Sequence, residues 1–201
     1  MQHEPNTQNF VETYQHLIGI VTPRPIAWVM TISATGVANL APFSFFNAFG
    51  ANPPIVVFSP TLKRDGSKKD TLRNLEATGE FVVHSAVAKL AEKVNLTSKE
   101  LPPDESEIEL AELHTVPSLR VKPPRLVEAP TAMECKVLQI IPTGKGPIAG
   151  NLVIGEVLMI HVADDVLDST GRVDPRKLQT VARLNGDFWC RTTDLFELPR
   201  P

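Results

Sequence analysis

The stretch from Pro25 to Leu62 contains no charged residue, and this constrains the fold more than any other feature of the sequence. Charged residues make up 21% of the chain, so about eight would be expected there. A membrane-spanning helix is the first explanation to test, but Pro42, Gly50 and Pro53-Pro54 interrupt the stretch before it reaches the roughly 20 apolar residues that a bilayer requires. The stretch therefore predicts short buried strands joined by turns, and no membrane partner.

Strands are predicted wherever β-branched and aromatic residues cluster between turn signals. They cover 25–33, 37–46, 55–59, 80–85, 131–141 and 151–162, and the last two should form an antiparallel hairpin around the turn at 142–147. Helices are predicted at 70–79, 87–96, 108–113 and 174–184. Because strands and helices do not alternate, we expect a single mainly β domain over 1–201, folded as an antiparallel, Greek-key-like β-barrel with short helices.

Two further segments are interpreted from composition. The segment 97–127 is acidic and rich in proline, and we interpret it as an excursion over the surface. The tail at 187–198 is expected to be extended and packed back on the body.

In the predicted helix at 70–79, Asp70 is expected to cap the first turn and Gly79 to end the helix.

Composition excludes several function classes. The formal net charge is −3 and charges of both signs are mixed along the chain, which argues against nucleic acid as a partner. No basic and apolar leader follows Met1, and Cys135 and Cys190 are far apart in sequence, so we expect reduced thiols and a cytoplasmic location. Walker, HExxH, GxSxG and Rossmann motifs are absent, and the glycines at 144–146 are better explained by a hairpin turn.

The residues Lys68, Lys69, Asp70 and Thr71 form a candidate anion site. Two cations and a hydroxyl stand where a helix is predicted to begin, and the free amide groups of a helix N-terminus favour an anion such as a phosphate. A solvated N-terminus flanked by lysines is the more ordinary interpretation of the same residues.

The charge-free stretch also has the composition of a flavin pocket. An isoalloxazine ring needs apolar walls together with a few short polar groups. Phenylalanines such as Phe43 and Phe58 offer the walls, and the polar groups are Thr31, Ser33, Asn39, Ser44, Asn47 and Ser59. A strand core whose hydroxyls cap turns would have the same composition.

The five histidines are scattered, and none has companion carboxylates at the spacing of a catalytic triad or a metal site. We expect no metal and interpret each histidine as structural or solvated, with His84 as a candidate modulator because it ends a strand soon after the candidate anion site. Arg24, between two prolines, could reach a phosphate or a carboxylate, although a surface ion pair is its more ordinary role.

Taken together, the motifs closely resemble the flavin reductase-like, flavoredoxin-type family of FMN-binding split β-barrels. The resemblance rests on Pro-Arg-Pro-Ile-Ala-Trp-Val at 23–29, Asn-Leu-Ala-Pro-Phe-Ser-Phe-Phe-Asn at 39–47, Lys-Asp-Thr at 69–71, Thr-Gly-Glu-Phe-Val-Val at 78–83 and Phe-Glu-Leu-Pro-Arg-Pro at 196–201. It covers nearly the whole chain.

The resemblance implies a homodimer with FMN bound at or near the subunit interface. The residues expected to line the flavin are Thr31, Ser33, Asn39, Ala41, Phe43, Ser44 and Ser59. Lys69, Asp70 and Thr71 are expected to hold its phosphate, which favours the anion site over the ordinary interpretation.

The implied activity is hydride transfer from NADH or NADPH to the flavin, with no protein residue obligatory as a catalytic acid or base. The electrons would pass to a bound acceptor, a redox protein or a monooxygenase. An electron carrier of the flavoredoxin type and an FMN-binding module without turnover are the alternatives, and a barrel that oxidises a pyridoxamine-type substrate is a weaker one. His84 replaces a common asparagine, and Asn185 and Trp189 stand where glycine and tyrosine are more frequent, which weakens inference about the substrate.

Overall fold

The computed structural model describes residues 2–5, 10–102 and 105–200. Met1, Pro103 and Pro201 lie outside the described residues. The helices in the described part of the chain are α1 Phe10–Ile20, α2 Asp70–Thr78, α3 Ala91–Leu96, α4 Glu107–Leu110 and α5 Pro175–Leu178. The strands are β1 Arg24–Pro25, β2 Ala27–Ile32, β3 Ala38–Phe43, β4 Phe46–Ala51, β5 Pro54–Phe58, β6 Glu80–Ser85, β7 Thr115–Val116, β8 Arg125–Leu126, β9 Thr131–Pro142, β10 Asn151–Val162, β11 Val181–Arg183 and β12 Trp189–Arg191.

A seven-stranded sheet with the order β3-β2-β6-β9-β10-β5-β4 dominates the structure. Every pair of neighbouring strands in it is antiparallel. A three-stranded sheet, β1-β11-β12, and the small ribbon β7-β8 complete the architecture. The expected mainly β, antiparallel architecture is confirmed.

The large sheet curls around an aromatic core. Phe43 on β3 and Phe58 on β5 come from strands near opposite ends of the sheet, yet their ring centroids are 5.5 Å apart. Phe58 also contacts Phe81, at 5.4 Å between centroids. The ring of Phe81 lies directly over Gly155 on β10, where any added Cβ would overlap the ring. The close approach of ring and backbone therefore requires glycine at position 155.

A second core covers the outer face of the sheet. Successive residues of β2 point to opposite faces: Ala27 and Val29 join the inner cluster, whereas Trp28 and Met30 join the outer one. The first five residues of β2 are buried. Burial on both faces explains why this part of the charge-free stretch carries no charge, since an unpaired charge there would lose its hydration.

Several of the sequence predictions are confirmed. Strand β6 has the predicted bounds, and β9 and β10 form the predicted hairpin, with bulges at Ile154/Gly155 and Val157/Met159. The helix at 70–79 is confirmed, and Gly79 ends it in the left-handed conformation at φ +69°.

Other predictions are wrong. Helix α1 was not predicted, the strand predicted at 37–46 is divided between β3 and β4, and the helix predicted at 174–184 ends at Leu178 before β11 begins. The tail is not packed back on the body along its whole length, because Phe196 and Leu198 are 85% and 83% exposed.

The segment 97–127 is more than a surface excursion. Four of its apolar side chains belong to the outer core: Ala111, Leu113, Val121 and Leu126. Its path is held by the buried carboxylate of Glu134, which accepts hydrogen bonds from the amides of Leu119 and Arg120 and from His161. Burial opposes ionisation of Glu134, but these hydrogen bonds hold its pKa below the usual value.

None of the helices within the described ranges has the length and hydropathy of a membrane-spanning segment.

His84 is a structural residue of the outer core. Its side chain is fully buried, its Nδ1 lies 3.2 Å from the Trp28 carbonyl oxygen, and its Nε2 lies 3.0 Å from the Leu126 amide nitrogen. The Leu126 amide can only donate, so Nε2 accepts and Nδ1 carries the proton. Burial lowers the pKa of His84 to about 4, and the ring is neutral at physiological pH.

This burial predicts a loss of stability in mild acid. The unfolded chain binds a proton at His84 near pH 6.5, whereas the folded ring resists protonation until about pH 4, so the unfolded state binds more protons between these values. We expect the free energy of unfolding to fall by about 3 kcal/mol from this residue as the pH is lowered through that range. Urea unfolding between pH 7 and pH 4.5 measures the loss, and NMR titration of the ring assigns it. A His84 ring that titrates near pH 6.5 in the folded protein would contradict the expectation.

Candidate functional site

A cavity of about 560 Å³ opens where β3, β5 and α2 meet. Its volume is within the range typical of small-molecule sites. The residues that line it are Tyr14, Pro42, Phe43, Ser44, Phe45, Ser59, Thr61, Leu62, Lys63, Arg64, Asp65, Lys69, Glu100 and Ile148.

The aromatic core places two hydroxyls at the mouth of this cavity. Ser44 and Ser59 directly follow Phe43 and Phe58, whose rings are in contact inside the sheet. The Ser59 amide donates to the Phe45 carbonyl at 2.9 Å, and Ser59 Oγ accepts from the Asn151 amide at 3.1 Å. Ser59 Oγ donates to no group among the described residues, so its proton is available for a ligand.

The loop 61–67 forms one wall and is held by its own backbone. The Lys63 amide donates to the Ser67 carbonyl at 2.8 Å, and Gly66, at φ +82°, allows the tight turn. The Leu62 amide reaches the Ala149 carbonyl of the β9–β10 connection at 2.9 Å. The wall is therefore tied to the long hairpin as well as to β5.

Ion pairing leaves two cations of the cavity available. Lys63 pairs with Glu100 at 3.4 Å, and the neighbouring Lys68 pairs with Glu76. Arg64 and Lys69 both line the cavity, and neither forms an ion pair with any described residue. They lie where an anionic group of a ligand would be neutralised.

The start of α2 contributes to the same region. Lys69 occupies the N-cap position and its side chain makes no capping hydrogen bond. The prediction that Asp70 caps the helix is wrong: Asp70 is the first helical residue and its carboxylate pairs with Arg73. Without a side-chain cap from Lys69, the first-turn amides can receive an anion.

A buried polar seam holds α2 against the sheet. The Asn39 side chain on β3 donates to Thr71 Oγ1 at 3.3 Å, and the Asn74 side chain donates to Thr31 Oγ1 on β2 at 3.1 Å. All four of these side chains are at most 8% exposed. The seam therefore fixes the N-terminus of α2, and with it Lys69, relative to β2 and β3.

The structure divides the predicted site residues into groups. Those that line the cavity are Phe43, Ser44, Ser59 and Lys69. Ser33, Asn39 and Asp70 line an adjacent cavity of about 300 Å³ beside α2, while Thr31 and Thr71 are buried in the seam. Ala41 is half-buried in β3, next to Pro42 of the cavity wall, and Asn47 is exposed on β4.

Sequence analysis missed several residues of the cavity wall, among them Tyr14, Arg64 and Ile148. Tyr14 is on the unpredicted helix α1, with its ring centroid 6.3 Å from that of Phe45. Arg64 is in a loop noted only as polar and basic. Ile148 has φ +61°, a conformation that strains a β-branched residue and is typically kept at functional positions. Nothing in the local sequence indicated Tyr14 or Ile148.

Arg24 and His84 have roles in the fold. Arg24 is 4% exposed, and its guanidinium donates to the carbonyls of Ile18, Val21 and Leu184, which joins the end of α1 to the residue after β11. The prediction of a surface ion pair for Arg24 is wrong. Both nitrogens of His84 form hydrogen bonds within the core. Its candidate role as a modulator of the site stays a prediction.

The family model for the flavin reductase like domain matches residues 20–181. The chain belongs to this family. The resemblance found from the sequence motifs is thereby confirmed, and membership identifies the protein as one of a family of flavin-binding oxidoreductases.

Solved structures of similar proteins agree with this assignment. Nitrilotriacetate monooxygenase component B from Bacillus cereus is 38% identical, with a TM-score of 0.92 over 98% of this chain and 98% of that one. The 2-nitrobenzoate 2-nitroreductase of Pseudomonas fluorescens is 32% identical, with a TM-score of 0.87 over 100% of this chain and 96% of that one. A Shewanella frigidimarina protein with a split barrel domain is 21% identical, with a TM-score of 0.80 over the whole of both chains, and confirms the split barrel fold.

Proposed function

We propose that this protein binds FMN in the 560 Å³ cavity and catalyses the transfer of hydride from NADH or NADPH to it. The observation that carries the proposal is the combination, in one cavity of a flavin reductase-like fold, of an aromatic wall and two cations that pair with no carboxylate among the described residues. The chemistry that a bound flavin would supply is two-electron reduction by hydride and the passing of both electrons to an acceptor.

The apolar part of the cavity fits the ring system. Tyr14, Phe43 and Phe45 supply aromatic surface, and Ser44 and Ser59 supply hydroxyls at the edge of that surface. The backbone amides of Ser44 and Phe45, which follow the end of β3, would donate to the ring where negative charge develops on reduction. Pro42 has no amide proton, and Ala41 and Phe43 are paired with β2.

The charged part of the cavity fits the phosphate. A phosphate monoester carries between about −1.5 and −2 charges at pH 7, which Arg64 and Lys69 together would neutralise. Asp70 and Thr71 would act differently from Lys69. Asp70 pairs with Arg73, and Thr71 bonds to Asn39, so both residues would position the N-terminus of α2. The amides of the first turn would complete the phosphate contacts.

The path of the electrons is proposed from the similar proteins. Component B of nitrilotriacetate monooxygenase aligns over nearly the whole of both chains, which supports release of reduced flavin to a separate oxygenase. The 2-nitroreductase supports the alternative, in which an acceptor is reduced at the bound flavin.

The phosphate assignment predicts different effects for two adjacent lysines. We expect Lys69→Ala to weaken FMN binding by about tenfold or more, because it removes a charged partner of the phosphate. Lys68→Ala is the matched control and should leave the affinity unchanged, since the Lys68 ammonium already pairs with Glu76. Fluorescence titration measures both variants. Riboflavin, which has no phosphate, should bind Lys69→Ala and the unmodified protein equally; equal FMN affinity in both variants would remove the assignment.

The proposed activity predicts bleaching of bound flavin. Purified protein should retain yellow FMN after desalting and lose the visible absorbance when NADH or NADPH is added without oxygen. Retained colour that does not bleach would contradict the reductase and favour an electron carrier or a binding module. Protein that retains no flavin and does not oxidise NADH or NADPH in the presence of added FMN would contradict the cofactor assignment.

We also propose that the protein is a homodimer in which β4 lies at the interface. Strand β4 is at the edge of the large sheet, and Phe49 on it is 76% exposed. The segment 46–54 has no charged residue to protect this edge from pairing. An interface there accounts for the part of the charge-free stretch that the core does not bury. It would also explain how Asn47, which is exposed on β4, contributes to a flavin site shared between two subunits.

Dimerisation through β4 predicts a monomer on charge insertion. We expect Phe49→Glu to shift the mass measured by light scattering from that of a dimer to that of a monomer, because a carboxylate would be buried without a partner. Leu119→Glu is the control. Leu119 is 67% exposed on the segment between β7 and β8, so this substitution should leave the dimer intact. A monomeric unmodified protein would overturn the proposal.

A further inference from the structure

The N-terminal segment 2–5 brings a histidine to helix α1. His3 Nδ1 lies 3.6 Å from Glu12 Oε1, and His16 Nε2 lies 3.8 Å from the same oxygen. One ligand atom from each of the three side chains lies within 4.8 Å of the other two. Glu12 and His16 are four residues apart and so project from the same face of the helix.

The surroundings of the two imidazoles favour a cation between them. His3 Nε2 lies 3.1 Å from Thr13 Oγ1, and when Nε2 donates that hydrogen bond, Nδ1 keeps its lone pair towards Glu12. A hydrogen bond from the far nitrogen is the usual way in which a metal-binding histidine is oriented. His16 Nε2 is shielded from solvent and has no hydrogen-bond partner within the described residues.

We propose that His3, Glu12 and His16 bind one divalent transition metal ion of the zinc type. Two imidazoles and one carboxylate are a donor set that Zn²⁺ accepts, with water as the fourth ligand. Ligand atoms around a tetrahedral Zn²⁺ are about 3.4 Å apart, so the present separations must close by an ångström or less at most pairs. The side chains can make this movement, because they are between 20% and 44% exposed.

The site is distinct from the flavin cavity. Tyr14 lines that cavity, whereas Glu12 and His16 are each two residues from Tyr14 and thus about 160° around the helix axis. A metal there ties the segment 2–5 to α1 and stabilises the fold without contacting the flavin. Because the assignment rests on side chains outside the cavity, it does not depend on the proposed function.

The test uses untagged protein freed of metal with a chelator. We expect isothermal titration with Zn²⁺ to show one site of micromolar or tighter affinity, and Co²⁺ to give the visible absorption of a tetrahedral complex. His3→Gln and His16→Gln should each weaken Zn²⁺ binding by about tenfold or more, because each removes one of three protein ligands. Saturating Zn²⁺ should raise the Tm of the unmodified protein by about 5 °C, and that of His16→Gln by much less.

His114→Gln is the matched control. His114 pairs with Glu128 at 2.8 Å, but it does not belong to a three-ligand cluster among the described residues. Its replacement should therefore leave the Zn²⁺ affinity unchanged. Circular dichroism checks that each variant is folded. The proposal is overturned if the unmodified protein binds no Zn²⁺ in the micromolar range, or if folded His3→Gln and His16→Gln bind it as tightly as His114→Gln does.

Discussion

The contact of Phe58 with Phe43 and Phe81 is the interaction on which the rest of the structure depends. These rings fill the interior of the curled sheet, and one of them packs against the bare backbone of Gly155. Because Phe43 and Phe58 end β3 and β5, the residues that follow them leave the sheet at the same place. The cavity is therefore a consequence of core packing: the hydroxyls of Ser44 and Ser59 are held by strands whose separation the rings determine.

Buried polar groups position the parts of the chain that the sheet does not. Arg24 joins the end of α1 to the segment after β11, and Glu134 orients the segment before β8. Asn39 and Asn74 hold α2 through two buried threonines. Each interaction satisfies groups whose burial would otherwise be costly. Because Lys69 lies at the N-terminus of α2 and Tyr14 lies on α1, these interactions also determine the shape of the cavity.

The sequence predicted four residues of the cavity wall, but it did not separate them from residues that lie inside the protein. Phe43, Ser44, Ser59 and Lys69 were named from composition and motif, and they line one cavity. Thr31 and Thr71 belong to the same motifs, but their hydroxyls bond to α2 and β3 side chains inside the protein. A motif records that a residue type is needed and does not distinguish a ligand contact from the support of one. Ile148 was missed because its strained conformation depends on the loop between two long strands.

Local patterns were sufficient for β6, the β9–β10 hairpin, the body of α2 and the family, because alternation, turn residues and a C-terminal glycine act between near neighbours in sequence. They failed for α1, which has only one buried residue, and for β4, in which every residue after Phe46 is exposed. What only the tertiary structure decided is which distant residues meet: Ser44 with Ser59, Arg64 with Lys69, and His3 with Glu12 and His16. The physical reason is that such meetings depend on how the sheet curls and how connecting segments are anchored, and both are properties of the packed chain as a whole.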